Sequence, residues 1–225
     1  MPGGLMNIVS YGISSHLIFG NPRKSLFFKA YKSITNFGIQ IIRLDQRTNA
    51  SIMNDISATV DFSIKRHADM IGKIFLVLEL PELDSQDSTN QVSWIEEIGT
   101  TMIEEVVISS GGQVLGQYSG EYFSLLMHRD SIHIELWNEM TGNIEGLYTK
   151  CDLIQRRKIY IPLQVFFASN AYTALPLVAL QYSTINIRLR LRPWKELIII
   201  HGDQPLPNIM EIMKNPNPDI HIQAE

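Results

Sequence analysis

The sequence predicts an all-β protein, a jelly-roll β-sandwich with one short helix and an irregular N-terminal arm. Three observations carry that reading. Apolar and polar residues alternate with period two through most of the chain beyond the arm. Turn signals rich in Gly, Pro and Asn separate the alternating runs, and the single helical stretch is modest. No internal repeat of about 20–50 residues is visible, which argues against a propeller or solenoid; a jelly roll suits the strand count and the long, uneven loops.

The elements follow in order. Residues 1–37 form the arm, in which Tyr11, Phe19, Phe27, Phe28, Tyr31 and Phe37 stand among turn residues, too apolar for a disordered tail and without helical periodicity. Such a segment is expected to be ordered by docking on a partner. It lacks the basic and apolar regions of a secretory signal. Residues 38–225 form the roll. In 57–65, Val60, Phe62 and Ile64 alternate with Asp61, Ser63 and Lys65, a strand with one wet face. Residues 71–80 are almost continuously apolar and closed by Pro81, a more buried strand. Residues 102–109 and 113–118 flank Gly111-Gly112 as a hairpin.

The helical stretch is 120–139, with Tyr122, Leu125 and Leu126 spaced as one face and a weaker pattern from Ser131 to Ile134. Residues 138–148 read as a loop with Gly142 and Gly146. Residues 158–168 are β-like, with Pro162 marking an edge or a bulge. Residues 184–192 give the cleanest alternation: Ile185, Ile187, Leu189 and Leu191 on one face, Asn186, Arg188, Arg190 and Arg192 on the other. A further strand is expected at 197–200 and a long proline-rich loop over 202–218. The strand signal that opens at Asp219 breaks off at Glu225, from which we expect a roll truncated in its last strand.

Composition narrows the function. The 225 residues are 45% hydrophobic and 19% charged, with net charge −4, which does not point to a nucleic-acid partner. The single Cys151 can form neither an internal disulfide nor a thiolate metal site, as in a reducing compartment. No run approaches the roughly 18 apolar residues of a membrane span. Apparent catalytic motifs dissolve on inspection. His128-Arg129-Asp130 lacks every companion of a kinase catalytic loop, and His133-Ile134-Glu135 lacks the Pro-Cys-x-x-Cys half of a zinc deaminase. Gly111–Gly116 carries no Lys-Ser/Thr to hold phosphate. Glu96-Glu97 and Glu104-Glu105 are adjacent, so on a strand the members of each pair face opposite ways. No cofactor or metal site is predicted, and no enzymatic role. Asn49-Ala50-Ser51 is a glycosylation sequon.

What remains are surfaces. Arg188, Arg190 and Arg192 stand about 7 Å apart on one strand face. They suit an acidic protein partner, or equally solvent-facing charges that block unwanted strand pairing; phosphates of a nucleic acid come well behind both.

The arm carries a specific resemblance. Met1-Pro2-Gly3-Gly4-Leu5-Met6, Val9-Ser10-Tyr11-Gly12, Gly20-Asn21-Pro22, Phe27-Phe28-Lys29, Tyr31 and Thr35-Asn36-Phe37 resemble the N-terminus of the major capsid proteins of nucleocytoplasmic large DNA viruses. The resemblance continues through Trp94, Glu97-Ile98-Gly99, residues 108–117, Gly120-Glu121-Tyr122, Ile161-Pro162-Leu163, Phe166-Phe167 and residues 175–182. It implies two consecutive jelly rolls, of which this sequence holds the first. It implies a virion protein, assembled in the host cytoplasm, whose homotrimers form pseudo-hexameric capsomers of an icosahedral shell. Neighbouring capsomers, minor capsid proteins and an internal viral membrane are then its partners, with the arm at the capsomer base. Arg23 and Lys24 add charge where the family is more neutral. The competing reading is a single-roll carbohydrate-binding or cupin-like module, which would need clustered metal ligands, whereas His67, His201 and His221 are scattered in the sequence.

Overall fold

A computed structural model describes residues 36–47, 52, 55–85, 90–130, 133–169, 173–180, 183–202, 208–214 and 218–225. The chain divides into two units, Met1–Ile39 and Gln40–Glu225. In the second unit the strands are β1 (Ile42–Asp45), β2 (Ala58–Ile64), β3 (Met70–Ile71), β4 (Ile74–Leu80), β5 (Glu82–Asp84), β6 (Gln91–Trp94), β7 (Ile103–Ser110) and β8 (Gln113–Ser119). They continue as β9 (Leu153–Ile154), β10 (Arg157–Pro162), β11 (Leu175–Pro176), β12 (Ile185–Leu191), β13 (Ile198–His201), β14 (Met213–Lys214) and β15 (Ile220–Ala224). The helices are α1 (Ile98–Thr101), α2 (Gly120–Asp130), α3 (Ile134–Thr141), α4 (Glu145–Tyr148), α5 (Trp194–Leu197) and α6 (Ile209–Ile212).

Two four-stranded antiparallel sheets make the sandwich: sheet A, in the order β1-β15-β4-β10, and sheet B, in the order β2-β12-β7-β8. Among these eight strands only the β7–β8 hairpin joins neighbours within one sheet. Every other connection crosses from one sheet to the other, which is the winding of a jelly roll. The alternation read from sequence supplies the core. Val60, Phe62 and Ile64 of β2 and Ile185, Ile187, Leu189 and Leu191 of β12 face inward, against Leu76, Leu78 and Leu80 of β4 and Ile220 and Ile222 of β15. Gly111 and Gly112 both take positive φ (58° and 87°), the conformation a tight hairpin turn requires.

Pro162 lies at the end of β10, an edge strand, where its missing N–H costs no ladder bond. The segment opening at Asp219 becomes β15, an interior strand: Ile222 stands opposite Leu44 of β1 on one side and Leu76 of β4 on the other.

Helix content is where the structure departs from the sequence reading. In place of one short helix there are two, α2 and α3, and four single turns among the described residues. The expected helix over 120–139 is broken because His133 takes a non-helical backbone (φ −121°, ψ 68°) as the N-cap of α3. The expected loop over 138–148 instead holds the end of α3, closed by Gly142 at φ 82°, and the turn α4. The proline-rich loop contains α6, whose first turn is capped by the Asn208 carboxamide accepting from the Met210 N–H at 3.3 Å.

The helices are keyed to the roll by glycines. Gly99 in α1 abuts the Thr141 carbonyl at the end of α3, where an added Cβ would lie 2.5 Å from the oxygen. Gly120, at the start of α2, abuts the Thr100 and Ile103 carbonyls with no room for a side chain. In the core the buried Trp94 and Trp194 rings meet with centroids 5.8 Å apart.

Candidate assembly surfaces

The arginine row lies on β12, inside sheet B. Both edges of β12 are paired, to β2 and to β7, so the row does not guard an open edge. Each guanidinium finds a carboxylate of its own chain. Arg188 Nε donates to Asp61 Oδ1 at 2.9 Å, Arg190 Nε lies 3.0 Å from Glu104 Oε2, and Arg192 lies 3.6 Å from Glu196 one helical turn on. The pairing follows from register: Asp61 stands directly opposite Arg188, and a bulge at Glu104 turns its carboxylate to Arg190. Gln117 of β8 donates to Glu105 on the same sheet. The outer face of sheet B is therefore polar and charge-balanced, and its exposed ion pairs are worth about 0–1 kcal/mol each. A partner there would have to exchange pairs already made.

Of the arm residues expected to dock, Tyr11, Phe19, Phe27, Phe28 and Tyr31 lie outside the described residues, as does Asn49. Phe37 is described and is 80% exposed.

The structure shows exposed apolar side chains on α2, α3 and the β7–β8 hairpin. On α2 the buried stripe is Phe123, Leu126 and Met127, while Leu125 is 67% exposed and Tyr122 is partly exposed. Tyr122, Leu125 and Leu126 share the spacing of one helical face, and of the three only Leu126 is buried. The two candidate stripes differ by a single residue of rotation, and only the contacts with α1 and sheet B decide between them. Leu136 on α3 and Val114 and Leu115 near the hairpin tip are likewise exposed. A tyrosine ties the hairpin to the following strand region: Tyr118 packs on Tyr122 and Phe123, and its hydroxyl accepts from the Phe166 N–H at 3.1 Å.

Polar groups far apart in sequence do come together, but not as a catalytic relay. Glu97, at φ 51°, caps α1 and accepts at Oε2 from Ser124 Oγ at 2.5 Å, while its Oε1 lies 3.4 Å from His128 Nε2. The carboxylate stands between serine and histidine, so the imidazole does not touch the hydroxyl. This cluster borders an open groove of ≈ 450 Å³ with Arg192 and Leu125. Ser93 Oγ and His201 Nε2 are 3.0 Å apart across the β6–β13 ribbon, with Ser93 buried. Burial, then the nearby Lys150, lowers the His201 pKa below the ordinary imidazole value. His67 lies between β2 and β3, His201 on β13 and His221 on β15. Among the described residues no group of three or more His, Cys, Asp or Glu is placed to hold a metal ion, so the cupin-like reading gains no support.

The architecture and sequence have known counterparts. Capsid protein 1 of Acanthamoeba polyphaga mimivirus is 29% identical over 209 residues, 85% of this chain and 35% of the relative. The major capsid protein of Phaeocystis pouchetii virus is 27% identical over 236 residues, 88% of this chain and 42% of the relative. This chain thus spans less than half the length of either. The capsid protein in the quasi-atomic model of the PBCV-1 virus capsid superposes with a TM-score of 0.66 at 20% identity, over 89% of this chain and 44% of that one, which establishes the shared fold. The family model described as the major capsid protein N-terminus matches residues 25–220, nearly the whole of the roll. A jelly roll wound from these strands, with a sequence matching along almost its full length, belongs to the family of major capsid protein N-termini.

Proposed function

We propose that this chain is the first of two jelly rolls in a capsid subunit, that three such subunits associate into a pseudo-hexameric capsomer, and that the capsomers tile an icosahedral shell. The observation that carries the reading is the family match over residues 25–220 on an eight-stranded roll. Its role is structural, with no catalytic step. The helices and the β7–β8 hairpin supply exposed apolar side chains such as Leu125, Leu136 and Val114 for burial against neighbouring copies. The arm over residues 1–37, with Tyr11, Phe19, Phe27, Phe28 and Tyr31, meets minor capsid proteins at the inner side of the shell, above an internal membrane. Arg188, Arg190 and Arg192 serve as a charge-balanced flank rather than as an anchor. The subunit is assembled in the host cytoplasm and resides in the virion.

Light scattering on a size-exclusion column tests this on a chain extended to the length of its relatives. The mass of three subunits is expected. A chain that stays monomeric at high concentration would overturn the proposal, and replacing Leu125 and Leu136 by serine should weaken the trimer without unfolding the roll.

A further inference from the structure

His221 occupies an unusual place. It lies on β15, one of the two interior strands of sheet A, between core-facing Ile220 and Ile222, and so points to the face turned away from the core. There it is only 3% exposed, beside Val77 of β4, also buried. Its Nδ1 makes no hydrogen bond and lies 3.3 Å from Asp219 Oδ2. Charged and titratable groups stand on the strands beside it. Asp45 of β1 stands directly opposite, with Arg43 beside it; Glu79 lies on β4, bound to Arg156; Lys158 and Tyr160 lie on β10.

Asp219 is the shared group. Its Oδ1 accepts from the Arg43 guanidinium at 2.9 Å, and the same guanidinium donates to Asp45 at 2.6 Å. This bridge fastens β1, a four-residue edge strand, to the chain leading into β15. Short edge strands are the segments of a sheet that open most easily. While His221 is neutral, Asp219 belongs to Arg43 alone. A proton on Nδ1 gives Asp219 a second cation to serve and buries a positive charge beside Arg43.

We propose that His221 is an acid-sensitive latch, whose protonation frees the β1 edge of sheet A from β15. Burial, then Arg43, disfavours the charged imidazole, and these outweigh the attraction of Asp219 and Asp45, so its pKa falls below the ordinary 6.5. With the folded value lowered, the unfolded or locally opened chain takes up the proton more readily. The latch is therefore closed above about pH 6.5 and loses hold as pH falls.

Hydrogen exchange read by mass spectrometry on the full chain tests the latch between pH 7.5 and 5, with rates corrected for intrinsic exchange. Protection of 42–45 should fall about tenfold per unit once the imidazole titrates, while β7 and β12 hold theirs. In His221→Gln the protection of 42–45 should be flat. Equal loss in the variant, no loss in the parent, or parallel loss in sheet B would each overturn the proposal. Should the variant not fold, NMR titration of the His221 imidazole in the parent decides: a value below 6.5 is expected, and one at or above it refutes the latch.

Discussion

Replacing Gly99 by alanine tests whether the helices are locked to the roll where the structure places them. The new Cβ would lie 2.5 Å from the Thr141 carbonyl oxygen and 3.1 Å from Ile161 Cγ1. An ordinary carbon–oxygen contact needs about 3.3 Å, so one side must retreat by about 0.8 Å. Neither side is free to do so. Thr141 is the last residue of α3, buried, with its hydroxyl bound to the Trp137 carbonyl at 2.9 Å and Gly142 turning the chain just beyond it. Ile161 is buried on β10. Overpacking against backbone belongs at the upper end of the usual range, about 3 kcal/mol. For a domain of this size that lowers Tm by about 6–12 °C. Melting followed by tryptophan fluorescence reads it, because Trp94 and Trp194 are buried in the core and become exposed on unfolding. Gly146→Ala is the control: nothing lies within 4 Å of its Cβ, and the residue sits within α4, so it should gain about 0.4–1 kcal/mol. A Gly99→Ala melt within about 1 °C of the parent, or a Gly146→Ala loss as large, would refute the packing argument.

The rotation of α2 predicts that Phe123→Ala costs about 3–5 kcal/mol, while Leu125→Ser changes monomer stability by less than about 0.5, both read from urea midpoints. Because Arg188 and Arg190 make exposed pairs within the chain, alanine at either should cost under about 1 kcal/mol, and the cost should shrink further in high salt. His201 has a lowered folded pKa, so it contributes stability above its unfolded pKa near 6.5 that is lost as pH falls. Urea midpoints should drop from pH 7.5 to 5.5 in the parent and drop less in His201→Gln.

The strands of this roll were legible because burial imposes a period of two, and residues such as Val60, Phe62, Ile187 and Leu189 obey it strictly. Turn chemistry was equally plain at Gly111-Gly112, where two positive φ angles leave few alternatives. The rotation of α2 was not. Tyr122, Leu125 and Leu126 satisfy the helical spacing as well as Phe123, Leu126 and Met127 do, and the choice rests on Gly120 seating against α1. The charge balance of sheet B was hidden for a different reason. Asp61 lies 127 residues from Arg188, and the two meet only because β2 and β12 become neighbours. A row of arginines reads as a cationic surface until the facing strand is known.

The placement of β15 also orders the assembly of the fold. Sheet B contains a local hairpin, β7–β8, closed by a two-residue turn, and this pairing needs no distant segment. Sheet A has no such beginning. Among the described residues its β1 pairs only with β15, roughly 180 residues later, and β4 reaches β1 only through β15. Loop closure over such a separation costs entropy before any contact compensates it, so sheet A should complete after sheet B. The strand that closes last is also the one that carries His221, and among the described strands β1, the edge it holds, is bonded to no other. Late formation and easy opening then have one cause. Among the described strands the β1 edge rests on one distant partner, and the contacts that join them include the charged bridge at Asp219.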